Sequence, residues 1–198
     1  MSSDERRERL LRSGVELLSR RPHREISVEE IAEGAGVAKG LLYHYFPSKT
    51  DFIVSALGRG QAELADCLAA DPSLPAGERF EASLSSFFDC LEKRPSGFAS
   101  MSRGGREDPR IAAALRAGRA EQLARLMESL ADWEGAPIPT DGGPTLESAL
   151  QGWLFFCEGA VMRWRDQGGL GREELRVLLR SALDGALLAA AASEAASS

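Results

Sequence analysis

The sequence predicts an all-α protein in which a small N-terminal domain precedes a larger helical domain. Apolar residues recur at helical spacing along most of the 198 residues, and loops rich in glycine and proline interrupt them. No stretch shows a convincing alternation of apolar and polar residues, as a half-buried strand would. A third observation is local: two short helical patterns separated by glycines lie within residues 27–49. These features favour a helical fold whose first domain is built around that motif.

The first short helix of the motif is expected to begin at Ser27. Ser27 and Glu30 have the spacing of a capping box, in which each side chain accepts a hydrogen bond from the other residue's amide. The apolar residues that follow share one helix face: Val28, Ile31, Ala32 and Ala35. Gly34 and Gly36 are expected to supply the positive φ angles of a sharp turn. Val37 is expected to pack beneath that turn.

The second short helix is expected to run from about Ala38 to Tyr45, because Pro47 disfavours helix beyond that point. Its inward residues are Leu42, Tyr45 and Phe46. Its outward residues are unusual for a merely solvated face: Lys39, Gly40, Leu41, Tyr43 and His44. Glycine within a helix costs about 1 kcal/mol relative to alanine. Such a cost is expected where the helix backbone must approach DNA closely. Two such helices are the pattern of a helix-turn-helix, which places its second helix in the DNA major groove. A short helix pair with a glycine turn also occurs in ordinary helical proteins.

The segment G-V-A-K-G-L-L-Y-H-Y-F-P-S-K closely resembles the DNA-binding signature of TetR-family transcriptional repressors. The shared features, in chain order, are Gly36-Val37, Lys39-Gly40, Tyr43 to Phe46, and Lys49. The resemblance covers roughly residues 9–57 and includes a preceding helix, Glu8–Arg20. That helix would bury four residues against the motif: Leu10, Leu11, Val15 and Leu18. The resemblance therefore implies a three-helix DNA-binding domain in residues 1–50.

The resemblance implies that several residues contact the DNA backbone. Tyr43, His44 and Lys49 would contact phosphates, and the positive N-terminal end of the next helix would assist Lys49. Ser27 and Val28 would approach the backbone through their amides. The alternative for Tyr43 is a partly buried ring with its hydroxyl in water, and for His44 a surface histidine without a task.

The resemblance also implies which residues reach base edges. Lys39 and Gly40 would lie deepest in the groove, where a lysine can reach guanine acceptors. Ala38 and Leu41 depart from the residues that the family often has at these positions. Leu41 could meet a thymine methyl group. Because both positions can reach base edges, the departures leave the operator sequence unknown.

Charge is distributed unevenly along this acidic chain, whose formal net charge is −6. Residues 1–50 carry nine Lys and Arg against eight Asp and Glu, whereas the remainder carries fifteen against twenty-two. Four arginines near the N-terminus either extend toward the duplex or solvate the first helix: Arg6, Arg7, Arg9 and Arg12. A small positive surface on an acidic body predicts few phosphate contacts and site-specific binding.

Catalytic function is disfavoured by the residues that the larger domain lacks. The two histidines, His23 and His44, both lie near the N-terminus, so a Ser-His-Asp or Cys-His arrangement cannot assemble in the larger domain. There is no glycine loop of the phosphate-cradling type and no paired histidine or cysteine ligands. The protein is therefore not expected to be an enzyme, and neither a cofactor nor a metal is expected.

Cysteine usage and hydropathy predict a cytoplasmic protein. Cys67, Cys90 and Cys157 are odd in number and scattered, which favours free thiols in a reducing compartment. The N-terminus is polar without a signal-peptide apolar region. No apolar stretch is long enough to cross a bilayer, so no membrane partner is expected.

Residues 51–198 are expected to form a helical effector-binding and dimerisation domain. The helices predicted after the motif cover 48–69, 77–93, Pro95 to about Met101, Pro109 to about Trp133, Thr145 to about Gln167, and Arg172 to about Ala192. The last two helices carry apolar residues on more than one face, although a surface helix needs one apolar stripe. The resemblance implies that they pair with a second copy in a four-helix bundle. The alternative is that both helices are central in a monomer.

Aromatic residues concentrate on the helices that line the effector pocket in TetR-like proteins. The candidate pocket residues are Phe87, Phe88, Phe98, Arg119, Trp153, Phe156 and Trp164. Ligand pockets are mostly apolar with a few placed polar groups, for which Glu158 and Arg163 are further candidates. Each aromatic residue could instead belong to the core. The resemblance implies a small-molecule effector, and the composition of the pocket favours an apolar one of unknown identity.

The predicted function is that of a ligand-responsive transcriptional regulator, most simply a repressor. It would bind a near-palindromic double-stranded DNA operator as a homodimer, because one short helix reads too few bases for specificity. Effector binding would release the operator. The alternative is a helical ligand-binding or scaffold protein without specific DNA binding.

Overall fold

The protein is described by a computed structural model over residues 2–68, 73–93, 108–131 and 143–196. Within these ranges it consists of α-helices and one short 3-10 helix, without strands, which confirms the all-α prediction. The helices are α1 (Ser3–Arg20), the 3-10 helix (His23–Glu25), α2 (Val28–Gly34), α3 (Lys39–Tyr45), α4 (Lys49–Leu68), α5 (Ala76–Lys93), α6 (Pro109–Ala131), α7 (Pro144–Gln167) and α8 (Arg172–Ala195).

Most helix ends fall within a few residues of the predicted ones. The largest difference is at α1, which begins at Ser3 because Ser2 and Glu5 form a capping box ahead of the predicted start. Arg6, Arg7, Arg9 and Arg12 consequently lie on α1 and are exposed. The short helix predicted from Pro95 to Met101, and the predicted helix end near Trp133, lie outside the described residues.

Two compact units make up the chain. The first comprises Met1–Ala69 and Asp89–Ala120, and the second comprises Ala70–Phe88 and Glu121–Ser198. The first unit therefore contains α4 and the beginning of α6 in addition to the helix-turn-helix. The division into domains at residues 50 and 51 stays a prediction.

The first unit has a continuous core around α1 and α4. Its largest fully buried side chains come from four helices and from the segment before α2: Leu10, Ile26, Ile31, Leu42, Phe52 and Ile53. Phe46, just beyond α3, meets Phe52 edge-on with ring centroids 5.2 Å apart. At the rim, Arg59 on α4 donates to Glu8 on α1 at 2.6 Å. This packing fixes the helix-turn-helix on the rest of the unit.

Cys67 and Cys90 correct the prediction of free thiols. The structure joins them in a disulfide between α4 and α5, with their Cα atoms 5.7 Å apart and a sequence separation of 23 residues. Periodicity could not reveal this pair, because the contact depends on how α5 returns to the end of α4. Cys157 on α7 is a free thiol, and burial raises its pKa to about 12.

The second unit is built on the packing of α7 against α8, which residues 168–171 connect. Gly168 ends α7 with a φ of 65°, a conformation that favours glycine. The buried stripe of α8 is regular: Leu175, Leu179, Leu183, Leu187 and Ala190. The Nε1 atom of Trp153 donates to the carbonyl of Leu179 at 2.8 Å, which satisfies the buried indole. None of the described helices combines the length and the apolar character that crossing a bilayer requires.

Candidate nucleic-acid interface

The start of α2 is held by a complete capping box. The Glu30 amide donates to the Ser27 hydroxyl at 3.1 Å, and the Ser27 amide donates to the Glu30 carboxylate at 2.7 Å. Arg21 donates to the same carboxylate at 2.6 Å. The hydrogen bond from the Ser27 amide, followed by that from Arg21, lowers the pKa of Glu30 to about 2. The Ser27 amide is thus already used, and a phosphate contact would have to share or displace that bond.

The turn between α2 and α3 needs its two glycines for different reasons. Gly36 has a φ of 63°, as expected. Gly34 does not adopt a positive φ, which corrects that part of the prediction. A Cβ atom at Gly34 would instead lie 2.6 Å from the Ser13 hydroxyl on α1. Gly34 therefore permits close packing of α1 against α2, a contact between distant residues that the turn pattern does not indicate.

The inward side of α3 is the predicted one. Leu42 and Phe46 are buried, and the half-buried Tyr45 packs against the same core. The Tyr45 hydroxyl accepts a hydrogen bond from the Ser3 hydroxyl at 3.2 Å. These contacts fix the rotation of α3 about its axis, and that rotation decides which side chains face outward.

Four residues of α3 form an exposed surface, here called the recognition face: Lys39, Gly40, Tyr43 and His44. A Cβ atom added at Gly40 would have no neighbour within 4 Å, and Gly40 does not adopt a positive φ. The fold of the chain therefore does not require glycine at position 40. Ala38, which precedes the recognition face, is exposed, and Leu41, which lies between Gly40 and Tyr43 in the chain, is half-buried.

The remaining predicted DNA contacts lie at the starts of α2 and α4. The Val28 side chain is buried, so the predicted contact of Val28 could involve only its backbone. Lys49 is the first residue of α4 and is half-buried. The preceding hydroxyl, Ser48, accepts from the Asp51 amide at 3.1 Å and so caps this helix. The start of α4 is therefore ordered by its own cap.

A charged residue that the sequence analysis missed lies beside the recognition face. Glu29 on α2 accepts a hydrogen bond from the Lys39 ammonium, with 2.5 Å between Oε1 and Nζ. This contact lowers the pKa of Glu29 and raises that of Lys39. The pair spans the turn between two helices, so spacing along one helix could not have indicated it.

The start of α6 contacts α4 within the first unit. Arg110 pairs with Asp51. The Thr50 hydroxyl donates to Asp108 at 3.0 Å, and the Gln61 amide nitrogen donates to the Ala114 carbonyl at 3.1 Å. Two of the three contacts involve Thr50 and Asp51, which directly follow Lys49, a predicted phosphate contact.

The predicted effector residues do not all lie in one environment. Phe87, Phe88 and Trp153 are buried in the second unit. Trp164 meets Phe88 edge-on, with centroids 5.9 Å apart, and Phe156 is 41% exposed. Arg119 belongs to the first unit, and Phe98 lies outside the described residues. The assignment of these seven residues to an effector pocket stays a prediction.

Large apolar side chains are exposed on α7, on α8 and on the segment that connects them. These side chains, between 41% and 58% accessible, are Phe155, Phe156, Leu170, Val177, Leu178 and Leu188. These residues are called the α7–α8 face. A groove of about 570 Å³ runs on this face between Phe156, Trp164 and Leu178. Soluble monomers rarely expose large contiguous apolar patches unless a partner or ligand covers them.

An ordered helix-turn-helix with an exposed recognition face defines the class of DNA-binding regulators, and sequence comparisons give the family. The profile described as "Bacterial regulatory proteins, tetR family" matches residues 10–56. The profile described as "Tetracyclin repressor-like, C-terminal domain" matches residues 76–183, more than half of the chain. The chain belongs to the TetR family of transcriptional regulators.

Individual relatives agree with this assignment. The chain is similar to the HTH-type transcriptional repressor KstR of Mycolicibacterium smegmatis, with 31% identity over 71% of this chain and 66% of the relative. KstR of Rhodococcus jostii is 32% identical over 71% of this chain and 63% of the relative. The matches thus span slightly less than two thirds of these repressors. A TetR-family regulator from Streptomyces coelicolor superposes with a TM-score of 0.74 at 29% identity, covering 98% of this chain and 85% of that structure.

Proposed function

We propose that this TetR-family regulator is a repressor that binds a near-palindromic operator as a homodimer and is released by a small apolar effector. It would act in the cytoplasm, where chromosomal DNA lies. The observation that carries the proposal is the recognition face, where exposed Lys39 and Tyr43 flank a glycine that the fold does not require. The names of the two KstR relatives favour repression over activation.

The recognition face has the chemistry that a major groove demands. Lys39 can reach the O6 and N7 acceptors of guanine, and Tyr43 and His44 can donate to phosphates. The bare backbone at Gly40 lets α3 approach the base edges without a side chain between them. Lys49, at the capped start of α4, adds a cation beside a helix N-terminus.

The α7–α8 face supports the homodimer. Besides its exposed apolar side chains, three exposed glycines of these helices have no neighbour within 4 Å of an added Cβ atom: Gly152, Gly159 and Gly185. Such positions let a partner helix approach closely. We therefore assign Phe156 to the dimer contact rather than to the effector pocket. A dimer would present two recognition helices about 34–36 Å apart, as successive major grooves require.

Release would depend on the contacts between α4 and the start of α6. A ligand that favours a different position of α6 would displace Asp51 through its contact with Arg110 and Thr50 through its contact with Asp108. Because Lys49 precedes both contact residues, its distance from the phosphates would change. The shift in operator affinity cannot exceed the difference in ligand affinity between the two states.

Selection of genomic fragments by the purified protein at physiological salt tests DNA recognition. Wild type should enrich a short near-palindromic site, and the Lys39→Ala/Tyr43→Phe variant should lose it. Recovery of no specific fragment by wild type would favour the alternative, a helical ligand-binding or scaffold protein. The genes beside a recovered site would then direct the search for the effector.

Operator release tests the coupling once that site is known. Apolar compounds that raise the melting temperature would be assayed for release of the operator, and a compound that binds tightly without weakening operator affinity would contradict the mechanism. Arg110→Gln should reduce release while ligand binding persists. Arg116→Gln, an exposed arginine on the same helix, serves as the control.

A further inference from the structure

The Glu29–Lys39 pair lies where the protein would meet DNA. Glu29 is the second residue of α2, and Lys39 is the first residue of α3 and part of the recognition face. Their side chains are 63% and 53% exposed, and 2.5 Å separates Oε1 from Nζ. Within the described residues, neither side chain forms another ion pair. The contact therefore links the two helices of the motif across its turn.

The fold gains little from this contact. An exposed ion pair changes an equilibrium constant by about fivefold or less, because water screens the charges and two long side chains lose freedom. The structural work in this region is done by Glu30, which caps α2 and pairs with Arg21. A carboxylate beside a DNA-facing lysine also opposes non-specific binding, since it repels phosphates.

We propose that Glu29 is a positioning residue that makes Lys39 selective for bases over phosphates. The inference rests on the proposed DNA-binding function of the recognition face. A lysine ammonium has three N–H donors. One donor is directed to Glu29 and fixes the long side chain, which leaves two donors for the O6 and N7 atoms of a guanine.

Positioning and repulsion act in opposite directions on the two kinds of DNA. At the operator, a held Lys39 loses less side-chain freedom on binding, so Glu29 strengthens the specific complex. On unrelated DNA no guanine is held at the position that Lys39 reaches, and the Glu29 carboxylate both repels the phosphates and keeps Lys39 from reaching them. Glu29 thus widens the gap between specific and non-specific affinity from both sides.

The test compares wild type, Glu29→Gln and Glu33→Gln on the selected operator and on a scrambled duplex of equal length. Glu33 is exposed on the same helix one turn later, so its variant makes the same charge change without touching Lys39. Fluorescence anisotropy would be recorded at several KCl concentrations. Circular dichroism melts would confirm that each variant folds.

For Glu29→Gln we expect operator affinity to fall by about two- to tenfold. Affinity for the scrambled duplex should rise by about two- to fivefold, and its salt slope should steepen by about 0.9 because Lys39 gains one phosphate contact. Glu33→Gln should shift both duplexes in the same direction, with unchanged slopes. Lys39→Gln added to Glu29→Gln should abolish the gain on scrambled DNA.

A parallel change on both duplexes, as in the control, would overturn the role of Glu29 while leaving operator recognition intact. Failure of wild type to distinguish the two duplexes would overturn the proposed function and this inference together. The two failures are thus distinguishable within one set of titrations.

Discussion

The helix-turn-helix and the helices α7 and α8 differ in how far their apolar residues are buried. In the motif, the side chains that face inward are buried, and the recognition face is a short set of polar residues around one glycine. On α7 and α8, a regular buried stripe is accompanied by a second apolar surface that stays exposed. The first arrangement suits a charged, hydrated polymer, and the second suits another apolar surface.

The difference shows that residues which the fold does not require identify a partner better than the packing of the core does. Gly40 lowers helix stability although the fold does not require glycine there. Phe155 and Leu178 expose apolar surface to water, which is unfavourable. Each feature makes sense once a ligand is supplied: DNA for the glycine, and a second copy for the apolar residues. The predictions below test each of these two assignments.

The largest effect is expected from charging the α7–α8 face. Phe155→Glu combined with Leu178→Glu would place two carboxylates in the proposed dimer contact, where unpaired charges are costly. The protein should become monomeric, and operator affinity should fall by about a hundredfold or more, since linked half-sites bind together. Sedimentation equilibrium and operator titration measure the two effects.

The control for that variant is Ala124→Glu, which adds a charge at an exposed position of α6. It should leave the dimer and operator binding unchanged. A charged variant that stays dimeric would show that the α7–α8 face serves something other than self-association, and would return its groove to consideration as a ligand site.

Reduction should destabilise the fold by breaking the Cys67–Cys90 disulfide. The Cys67–Cys90 disulfide closes a loop of 23 residues, for which chain entropy alone suggests about 3 kcal/mol of stabilisation. A reductant should therefore lower the melting temperature of wild type and of Cys157→Ser equally. Cys67→Ser should melt at the lower temperature without reductant. Thiol labelling followed by mass analysis would show one free cysteine, Cys157, before reduction.

Much of the helix-turn-helix could be predicted from the sequence because its determinants are local. Ser27 and Glu30 are three residues apart, and the positive φ of Gly36 depends on that residue being glycine. The inward face of α3 follows from a single helix turn, and the recognition face is what remains. The surplus apolar faces of α7 and α8 were also predictable, since helical spacing alone shows that one stripe is insufficient to hold them.

Contacts between distant residues could not be predicted in this way. The Lys39–Glu29, Cys67–Cys90 and Arg110–Asp51 pairs depend on how helices pack, and no periodic signal encodes them. The same limit applies to the prediction that Phe156 lines an effector pocket. The sequence places an aromatic residue on α7, but helix rotation decides whether its ring faces the interior or the exposed surface.

Gly40→Ala should separate recognition from folding. The substitution should stabilise α3 by up to about 1 kcal/mol, because the new methyl group meets no protein atom. It should nevertheless weaken operator binding by about tenfold or more, since the methyl group holds α3 away from the base edges. Gly58→Ala on α4 is the matched control, because a Cβ atom there also meets nothing. If both variants bind the operator like wild type, the glycine has no role in recognition.

The smallest effect concerns acid stability and belongs to the motif alone. Because the folded state lowers the pKa of Glu30 to about 2 from an ordinary 4.5, its ionised form stabilises the folded state fully above pH 4.5. That contribution is lost as the pH falls from about 4.5 toward 2. Glu30→Gln should therefore melt below wild type at pH 7, and the difference should shrink over this interval. A difference that is constant with pH would mean that shape rather than charge holds the cap. Self-association through the α7–α8 face should be equal in both proteins at pH 7, because Glu30 belongs to the first unit and that face to the second.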